Sequence, residues 1–493
     1  MFDMFVVGFG MIFSFKIMIL IIIGVILGIL FGATPGLTTS MGLAFILPIT
    51  YSMQAIEGIS ILIGLYVGGT TGGLITAILL NIPGTPGAIC TTFDGHPMAK
   101  KGEAGRALSI GIFYSFLGGI ISLIVLIFIA PSLARIALKF GPFEYFAITL
   151  LALTLIAELS GKSLMKGITC GLLGMMFASV GPSPIDGHIR FTFGFHALDG
   201  GFSLVPTLVG LYAVREILKV AEFPIEAKVK VIEYKLKGFG ITLKEFKNQF
   251  VNLIRSSLVG IGIGILPGLG AGTANIISYT IAKKQSKYPE KFGTGIIDGI
   301  IASETSNNAV TGGALVPLLT MGIPGDCGTA MLLGGLMLHG IMPGPLLFST
   351  DGDLVYGIFT ALLIANISMI LIMYFGLGIF TKLLNTPKYI LLSIISVFCV
   401  VGGFGINHRL FDVWSILFFG IVSYVLYKFK YPIPPLIMGF ILGPIIEVNL
   451  RRGLMYSQGN FNEFLLRPIS GTFILITILV VIFKLIRIKK IKV

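Results

Sequence analysis

A helix-breaking Gly/Pro motif occurs twice in this chain, each time within an apolar stretch. The two copies are Gly28-x-x-x-Gly32-x-x-Pro35-Gly36-Leu37 and Gly260-x-x-x-Gly264-x-x-Pro267-Gly268-Leu269. A second shared block follows each copy, namely Thr71-Gly72-Gly73 before Ile82-Pro83-Gly84 and Thr311-Gly312-Gly313 before Ile323-Pro324-Gly325. Proline has no N–H to donate and its ring clashes with the preceding turn, so an α-helix does not run undisturbed through these positions. The duplication predicts two related halves whose helices are interrupted at corresponding places.

Composition places these interruptions in a membrane. Hydrophobic residues make up 55% of the 493 positions and charged residues only 12%, and the mean hydropathy is +0.97. Soluble domains carry about 25% charged residues, so this chain has too little charge to cover a soluble surface. The expected fold is an all-α polytopic membrane protein with two structural repeats and broken or re-entrant helices. At about 20 apolar residues for each span, about 11 to 14 transmembrane spans fit the sequence.

Charged residues suggest how the chain is divided. We predict a first membrane repeat over residues 1–219, a charged connecting loop over 220–249 and a second membrane repeat over 250–493. Lysines and arginines cluster in this loop and near the C-terminus, and such clusters beside spans mark cytoplasmic ends. The net charge of +13 is therefore explained by membrane topology, and no nucleic acid partner is expected.

Sequence patterns of catalytic and metal sites are missing. The four cysteines show no C-x-x-C spacing, and the five histidines form no H-E-x-x-H motif. The phosphate-binding pattern G-x-x-x-x-G-K-[ST] is also absent from the sequence. We expect no metal, no cofactor and no enzyme activity. The alternative is an intramembrane enzyme, but the sequence shows no pattern that pairs a nucleophile with a base.

Breaks at corresponding positions of two halves are a sequence indication of a transporter's central binding site. A new helix start exposes backbone N–H groups that attract carboxylates, and a helix end exposes carbonyls that attract cations. The candidate substrate-binding residues are those at the breaks and the polar residues beside them: Pro35, Gly36, Thr38, Thr39, Thr71, Asn81, Pro83, Gly84, Thr85, Pro267, Gly268, Thr273 and Asn275. The alternative is a kinked helix whose hydroxyl groups only bond back to the preceding turn.

Acidic and amide side chains are concentrated in the second half. Because such groups are costly in lipid, they are expected to face a polar interior. The candidate ion-coupling residues are Glu304, Asn307, Asn308, Thr311, Pro324, Gly325 and Asp326. Glu304 and Asp326 are the best candidates for coupling to a cation or a proton. The alternative places Glu304 at a helix end, paired with a lysine such as Lys291.

Together these motifs resemble the large membrane subunit of tripartite tricarboxylate transporters, the TctA family. The resemblance runs from Gly32-Ala33-Thr34-Pro35-Gly36-Leu37 through Asn81-Ile82-Pro83-Gly84-Thr85-Pro86-Gly87, Asp94-Gly95-His96-Pro97, Arg190-Phe191-Thr192-Phe193-Gly194 and Glu304 with Asn307-Asn308-Ala309, to Gly322-Ile323-Pro324-Gly325 and Leu442-Gly443-Pro444. It therefore covers nearly the whole chain. One departure is Asp326-Cys327, where the family usually has small neutral residues after Pro-Gly.

The resemblance implies the chain's function and partners. It implies a binding-protein-dependent secondary transporter that imports carboxylates, driven by a sodium or proton gradient. The implied partners are a small membrane subunit of about four helices and an extracytoplasmic solute-binding protein. The implied location is the bacterial cytoplasmic (inner) membrane, which the chain crosses several times. The alternative is a carrier or channel for organic anions that works without a binding protein.

Overall fold

The computed structural model describes residues 2–159, 163–222, 232, 234–236, 238–383 and 388–491. Part of the predicted connecting loop, including Lys228, Lys230 and Lys237, lies outside these residues. The α-helices of the described residues are, in chain order, α1 (Phe2–Ile12), α2 (Phe15–Ala33), α3 (Thr39–Ile46), α4 (Ala55–Leu80), α5 (Ile89–Met98), α6 (Ala104–Ala137), α7 (Pro142–Leu159), α8 (Leu164–Ala178), α9 (Leu204–Val209), α10 (Arg215–Glu222), α11 (Leu243–Ile265), α12 (Gly270–Gln285), α13 (Ile297–Met321), α14 (Cys327–Leu338), α15 (Leu347–Thr350), α16 (Gly352–Leu383), α17 (Lys388–Asn407), α18 (Leu410–Lys428), α19 (Ile433–Tyr456), α20 (Asn462–Leu466) and α21 (Pro468–Ile491).

Shorter elements connect these helices. Short 3₁₀ segments lie at Leu47–Ser52, Pro86–Ala88, His196–Leu198 and Pro289–Lys291, and π-helical segments at Ala99–Glu103 and Gly210–Val214. The strands of the described residues, β1 (Gly181–Pro182) and β2 (Ile189–Arg190), pair antiparallel with Gly181 opposite Arg190. The chain is thus an all-α protein, as its composition predicts.

Six helical stretches of the described residues are long and apolar enough to cross a membrane. They are Phe15–Ala33, Ala55–Leu80, Pro86–Ala137, Gly352–Lys382, Leu410–Lys428 and Ile433–Tyr456. Shorter apolar helices include Pro142–Ala157 and Cys327–Leu338. The chain is therefore a multi-pass membrane protein, and the count of 11 to 14 spans stays a prediction.

The chain forms two compact units, and each of them draws on both halves of the sequence. Unit 1 comprises residues 1–134, 219–266 and 270–402, and unit 2 comprises residues 135–218, 267–269 and 403–493. The predicted division into repeats at 1–219 and 250–493 follows the motifs along the chain. That division stays a prediction.

Helices α2 and α4 of unit 1 pack through interlocking glycines. A side chain on α2 at Gly24, Gly28 or Gly32 would collide with the backbone of Ile61, Leu65 or Gly69 of α4 respectively. The reverse holds for Gly64, Gly68 and Gly72 of α4, which face the backbone of Ile21, Val25 and Ile29. Small residues at four-residue spacing let two membrane helices approach closely. This packing explains the glycines of the first Gly-x-x-x-Gly motif.

Helices α11 and α13 of unit 1 pack in a similar way. Gly260 lies against the Ser306 carbonyl, and Gly313 of α13 lies against the backbone of Ile261. A Cβ atom at Gly264 would come within 2.9 Å of both Ala314 N and the Val310 carbonyl. The second Gly-x-x-x-Gly motif therefore also serves close helix packing.

Unit 2 contains an ion-pair network beside the β1–β2 hairpin. Arg190 donates to both carboxylate oxygens of Glu447, at 2.6 and 2.5 Å, and to the Ser179 carbonyl. Arg451 donates to Asp186 and to Ser183. Hydrogen bonds from Ser183 and the Arg451 guanidinium hold the pKa of Asp186 well below its usual range. Arg190 thus ties the hairpin to Glu447 of α19 and to the end of α8.

Candidate functional site

The first break of the chain is a complete interruption between two helices. Helix α2 ends at Ala33, and the Thr34 hydroxyl donates to the Leu30 carbonyl. Gly36 has a φ of 92°, which a glycine adopts without strain. Helix α3 begins at Thr39, and Thr38 caps it by accepting from Met41 N at 3.2 Å. The kinked-helix alternative is therefore wrong for the backbone, although the Thr34 hydroxyl does bond back to the preceding turn.

The second break of the first half follows α4. Asn81 ends this helix in the left-handed conformation, with a φ of 58°. Gly84 lies against the Gly32 carbonyl, where no side chain would fit. Thr85 then begins the 3₁₀ segment that leads into α5, with Pro86 at its first position. The Pro83–Gly87 turn thus lies beside the end of α2, so the two breaks of the first half are close together in space.

Corresponding breaks in the second half have similar backbone geometry. The end residues of α2 and α11, Thr34 and Leu266, have φ/ψ of −83°/115° and −81°/117°. Gly322 ends α13 with a φ of 71°, and Gly325 lies against the Gly264 carbonyl. The local geometry of the two motif pairs therefore agrees, and their wider relation as structural repeats stays a prediction.

Residues Pro267 and Gly268 are the predicted site residues that belong to unit 2. Gly268 has a φ of 79°, and a side chain there would collide with Ile156 of α7. The other predicted site residues all belong to unit 1. The candidate site accordingly belongs to unit 1.

Two amides of α13 connect this helix to α4. Asn307 donates from Nδ2 to the Thr70 carbonyl at 3.0 Å. Asn308 accepts from the Thr71 hydroxyl at 2.7 Å and donates to the Glu304 carbonyl. All of these groups are buried. The structure thus brings together Thr71, Asn307 and Asn308, which the sequence analysis assigned to different roles.

Two buried oxygen atoms near this junction have no hydrogen-bond partner within the described residues. They are Thr85 Oγ1 and Asn307 Oδ1, on side chains that are 6% and 1% exposed. A side chain at Gly87 would collide with Asn307 Oδ1, and one at Gly73 would lie 2.5 Å from Thr85 Oγ1. Because an unpaired buried polar atom costs about 1–3 kcal/mol, such atoms require an explanation. A ligand that supplies the missing hydrogen bonds is one.

Glu304 lies in the middle of α13 and is fully buried. Its Oε1 accepts from the Thr91 hydroxyl at 2.5 Å, and its Oε2 accepts from the Ser115 hydroxyl at 3.0 Å. Lys291 lies over the Tyr288 ring instead, 4.3 Å from its centroid. The alternative in which Glu304 pairs with a lysine at a helix end is therefore wrong.

Asp326 caps the N-terminus of α14. Its Oδ1 accepts from Thr329 N at 2.7 Å, and the Thr329 hydroxyl in turn accepts from Asp326 N. Its Oδ2 accepts from the Tyr66 hydroxyl of α4 at 2.8 Å. The partial positive charge of this helix start already faces a carboxylate. The α14 start is therefore already neutralised by a side chain of the protein.

Several predicted residues have structural contacts. Asn275 accepts from Cys90 N at 2.8 Å and donates to the carbonyls of Gly87 and Ser303, so it holds α12 against the turn and α13. Thr39 packs against Gly69, and Thr311 donates to the Asn308 carbonyl. Pro324 lies in the turn between α13 and α14, and Thr273 lies in α12. Their roles toward substrate or ion stay predictions.

Sequence reasoning missed the role of Asp94. This carboxylate on α5 is fully buried and accepts from three backbone N–H groups, those of Gly293, Gly295 and Ile296. It also accepts from the Tyr279 hydroxyl at 2.8 Å. Asp94 thus fixes the loop before α13. The sequence did offer one indication of this role, because an acidic residue is unusual in the apolar first half. The partners of Glu304 were missed because isolated serines and threonines carry no such signal.

The chain is similar to known proteins over most of its length. The profile described as "Tripartite tricarboxylate transporter TctA family" matches residues 18–438. A protein of Agrobacterium vitis, described as "Uncharacterized 52.8 kDa protein in TAR-I ttuC' 3'region", is 34% identical over 92% of this chain and 89% of its own length. A second protein of that organism, "Uncharacterized protein in TAR-II ttuC' 3'region", is 36% identical over 43% of this chain and 87% of its own length. No solved structure matches.

The family match covers most of the chain and includes the four breaks described above. The turn at Pro83–Gly87, the amides of α13 and the buried carboxylate of Glu304 all lie inside it. The chain belongs to the tripartite tricarboxylate transporter TctA family.

Proposed function

We propose that this chain is the large transmembrane subunit of a binding-protein-dependent secondary transporter. It imports carboxylates of the tricarboxylate type across the bacterial cytoplasmic membrane, driven by a sodium or proton gradient. Its partners are a small membrane subunit and an extracytoplasmic solute-binding protein. Family membership supports this assignment at the level of the tripartite system.

Unpaired polar atoms at the junction of α4, α13 and the turn before α5 carry the proposal. Thr85 Oγ1 and Asn307 Oδ1 are buried and lack partners among the described residues. The Thr85 hydroxyl can donate to a carboxylate, and the Asn307 carbonyl can accept from a hydroxyl of the substrate or contact a cation. A carboxylate that also carries a hydroxyl group, such as citrate, supplies both kinds of group.

Electrostatics favour an anion at the first-half turn. The segment that begins at Thr85 leads into α5 without an acidic residue in its first turn. The α14 start, by contrast, is capped by Asp326. The partial positive charge at the first-half turn, which has no acidic residue of its own, supports our proposal that a substrate carboxylate is recognised there.

Reconstitution with and without each partner tests the proposal. Proteoliposomes contain this chain, the small membrane subunit or both, and the solute-binding protein is added outside. We expect uptake of labelled citrate only when all three proteins are present and an inward sodium or proton gradient is imposed. Omitting the gradient is the control for passive leak.

Two outcomes would change the assignment. Citrate uptake by this chain alone would show a carrier or channel that needs no binding protein. No uptake of any carboxylate by the three-part system, under either gradient, would refute the proposed function.

A further inference from the structure

The buried Glu304 cluster points to the ion that drives transport. Glu304 is 0% exposed in the middle of α13. Burying an ionised carboxylate without a nearby cation is costly, so such groups are paired or take up a proton. No lysine, arginine or histidine of the described residues forms an ion pair or hydrogen bond with Glu304. The charge of this carboxylate is therefore not compensated by a cationic side chain.

Titratable groups on the surrounding elements are engaged elsewhere or lack a bond to Glu304. Among them are Arg255 on α11, Tyr279 on α12, Tyr66 on α4, Cys90, Asp94 and His96 on α5, Tyr114 on α6, Cys327 on α14 and Asp298 on α13 itself. Arg255 donates to Asn252 and Gln285, and Tyr279 donates to Asp94. Tyr66 donates to Asp326. Within the described residues, no cationic side chain is therefore bonded to Glu304 to offset a change of its charge.

Hydroxyl partners suit a carboxyl group that gains and loses a proton. When Glu304 is ionised, Thr91 and Ser115 each donate to one of its oxygens. When it is protonated, one hydroxyl can rotate and accept from the new O–H, because a hydroxyl is both donor and acceptor. Both states are thus hydrogen-bonded without movement of the helices.

The same cluster is a poor site for a metal cation. Hard cations such as calcium take about 6–8 oxygen ligands. The cluster offers the two carboxylate oxygens and two hydroxyl oxygens whose hydrogens point at the carboxylate, and the Asn307 side chain adds a further hydrogen bond to the carboxylate. A proton needs only one acceptor.

We infer that Glu304 is the proton-coupling group of this transporter, with Thr91 and Ser115 as its positioning residues. The inference rests on the proposed function and selects the proton from the two ions left open there. On the outer side the carboxylate takes up one proton and becomes a carboxylic acid. On the inner side it releases that proton and becomes a carboxylate again, so each proton enters with substrate and no other reactant is needed.

Uptake driven by a pH gradient tests this inference. The three-part proteoliposomes are prepared in sodium-free buffer, with the membrane potential clamped at zero by valinomycin and equal potassium. We measure the ratio of citrate accumulation with and without an inward gradient of one pH unit. For the wild type we expect a ratio of about ten for each coupled proton, since one pH unit is a tenfold difference in proton activity. For Glu304→Gln we expect a ratio near one.

Glu57→Gln is the matched control. Glu57 is also a mostly buried glutamate in unit 1, but Lys16 pairs with it at 2.6 Å. This variant is expected to keep the full ratio. A pH-sensitive dye inside the vesicles gives a second measurement on the wild type alone. Citrate addition should acidify the lumen in the absence of sodium.

The outcomes separate this inference from the proposed function. Wild-type accumulation under a sodium gradient only, without acidification of the lumen, would overturn the inference and leave the proposed function intact. A full ratio in Glu304→Gln would also overturn it. No citrate uptake under any gradient would count against the proposed function itself.

Discussion

Single buried polar side chains around the breaks divide into two groups. Asn275, Asp94 and Asp326 have their bonding capacity taken up by protein groups, so they hold segments in place. Thr85 and Asn307 each keep one buried oxygen without a partner among the described residues. Since an unpaired buried oxygen lowers stability, we propose that these two oxygens, which lie beside the breaks, are contacts for a ligand.

Substitution of Asp94 tests its structural role. In Asp94→Asn one carboxylate oxygen is replaced by an NH₂ group, so the variant loses charge-assisted hydrogen bonds to the backbone N–H groups of the 293–296 loop. We expect a loss of about 1–3 kcal/mol in stability, measured as a lower melting temperature in detergent. Asp353→Asn, at an exposed position in the first turn of α16, should melt like the wild type. Equal melting of both variants would contradict this role.

Residue types identified candidate site residues, whose roles stay predictions, but they did not predict the contacts that these residues make. Thr85, Asn307, Asn308 and Glu304 stood out because polar groups are rare in apolar sequence. Their partners could not be derived, because Thr91 meets Glu304 only after α5 and α13 have packed across 213 residues of sequence. Such pairs depend on the tertiary structure.

At the scale of elements, two pairs of closely packed, glycine-rich helices position the breaks. Helices α2 with α4, and α11 with α13, approach closely enough for the glycines of one to face the backbone carbonyls of the other. This contact fixes where each preceding helix ends, and so where the turns that carry Gly84 and Gly325 lie. The two Gly-x-x-x-Gly motifs therefore position the breaks that follow them.

Two glycines of α11 provide a matched test of this packing. In Gly264→Ala the new methyl group would lie 2.9 Å from two backbone atoms of α13, whereas nothing lies within 4 Å of one at Gly262. We expect Gly264→Ala to cost about 1–3 kcal/mol through overpacking. In Gly262→Ala we expect no loss, because alanine favours a helix by about 0.5–1 kcal/mol over glycine. Thermal melting in detergent measures both, and similar melting temperatures would contradict the packing argument.

The sequence predicted helix interruptions more reliably than helix lengths. The breaks at Pro35-Gly36 and Pro267-Gly268 occur where proline and glycine require them. By contrast, the Leu442-Gly443-Pro444 motif lies inside α19, which continues to Tyr456. Its internal Pro444 does not end the helix, because neighbouring groups can satisfy a backbone carbonyl left free by proline inside a membrane protein.

At the scale of the whole molecule, the chain is a TctA-family membrane protein whose compact units do not follow the order of its sequence. Unit 1 takes helices from both predicted repeats, so α4 of the first and α13 of the second meet within it. Motif duplication suggested two halves, but it could not show which compact unit each helix joins. That depends on contacts between residues far apart in sequence, such as Thr71 with Asn308.

Citrate uptake by variants of the unpaired oxygens tests the central claim, that the α4–α13 junction binds the substrate. In three-part proteoliposomes, Thr85→Val and Asn307→Ala remove those oxygens, and Ser60→Ala removes another buried unpaired hydroxyl of α4 as a control. Removing an unpaired buried hydroxyl should not lower stability, so we expect Thr85→Val to melt no lower than the wild type. We predict uptake at least about tenfold slower for Thr85→Val and Asn307→Ala, since a hydrogen bond to a charged group is worth about 1.5–3 kcal/mol, and unchanged uptake for Ser60→Ala. Wild-type uptake rates in both site variants would contradict the account.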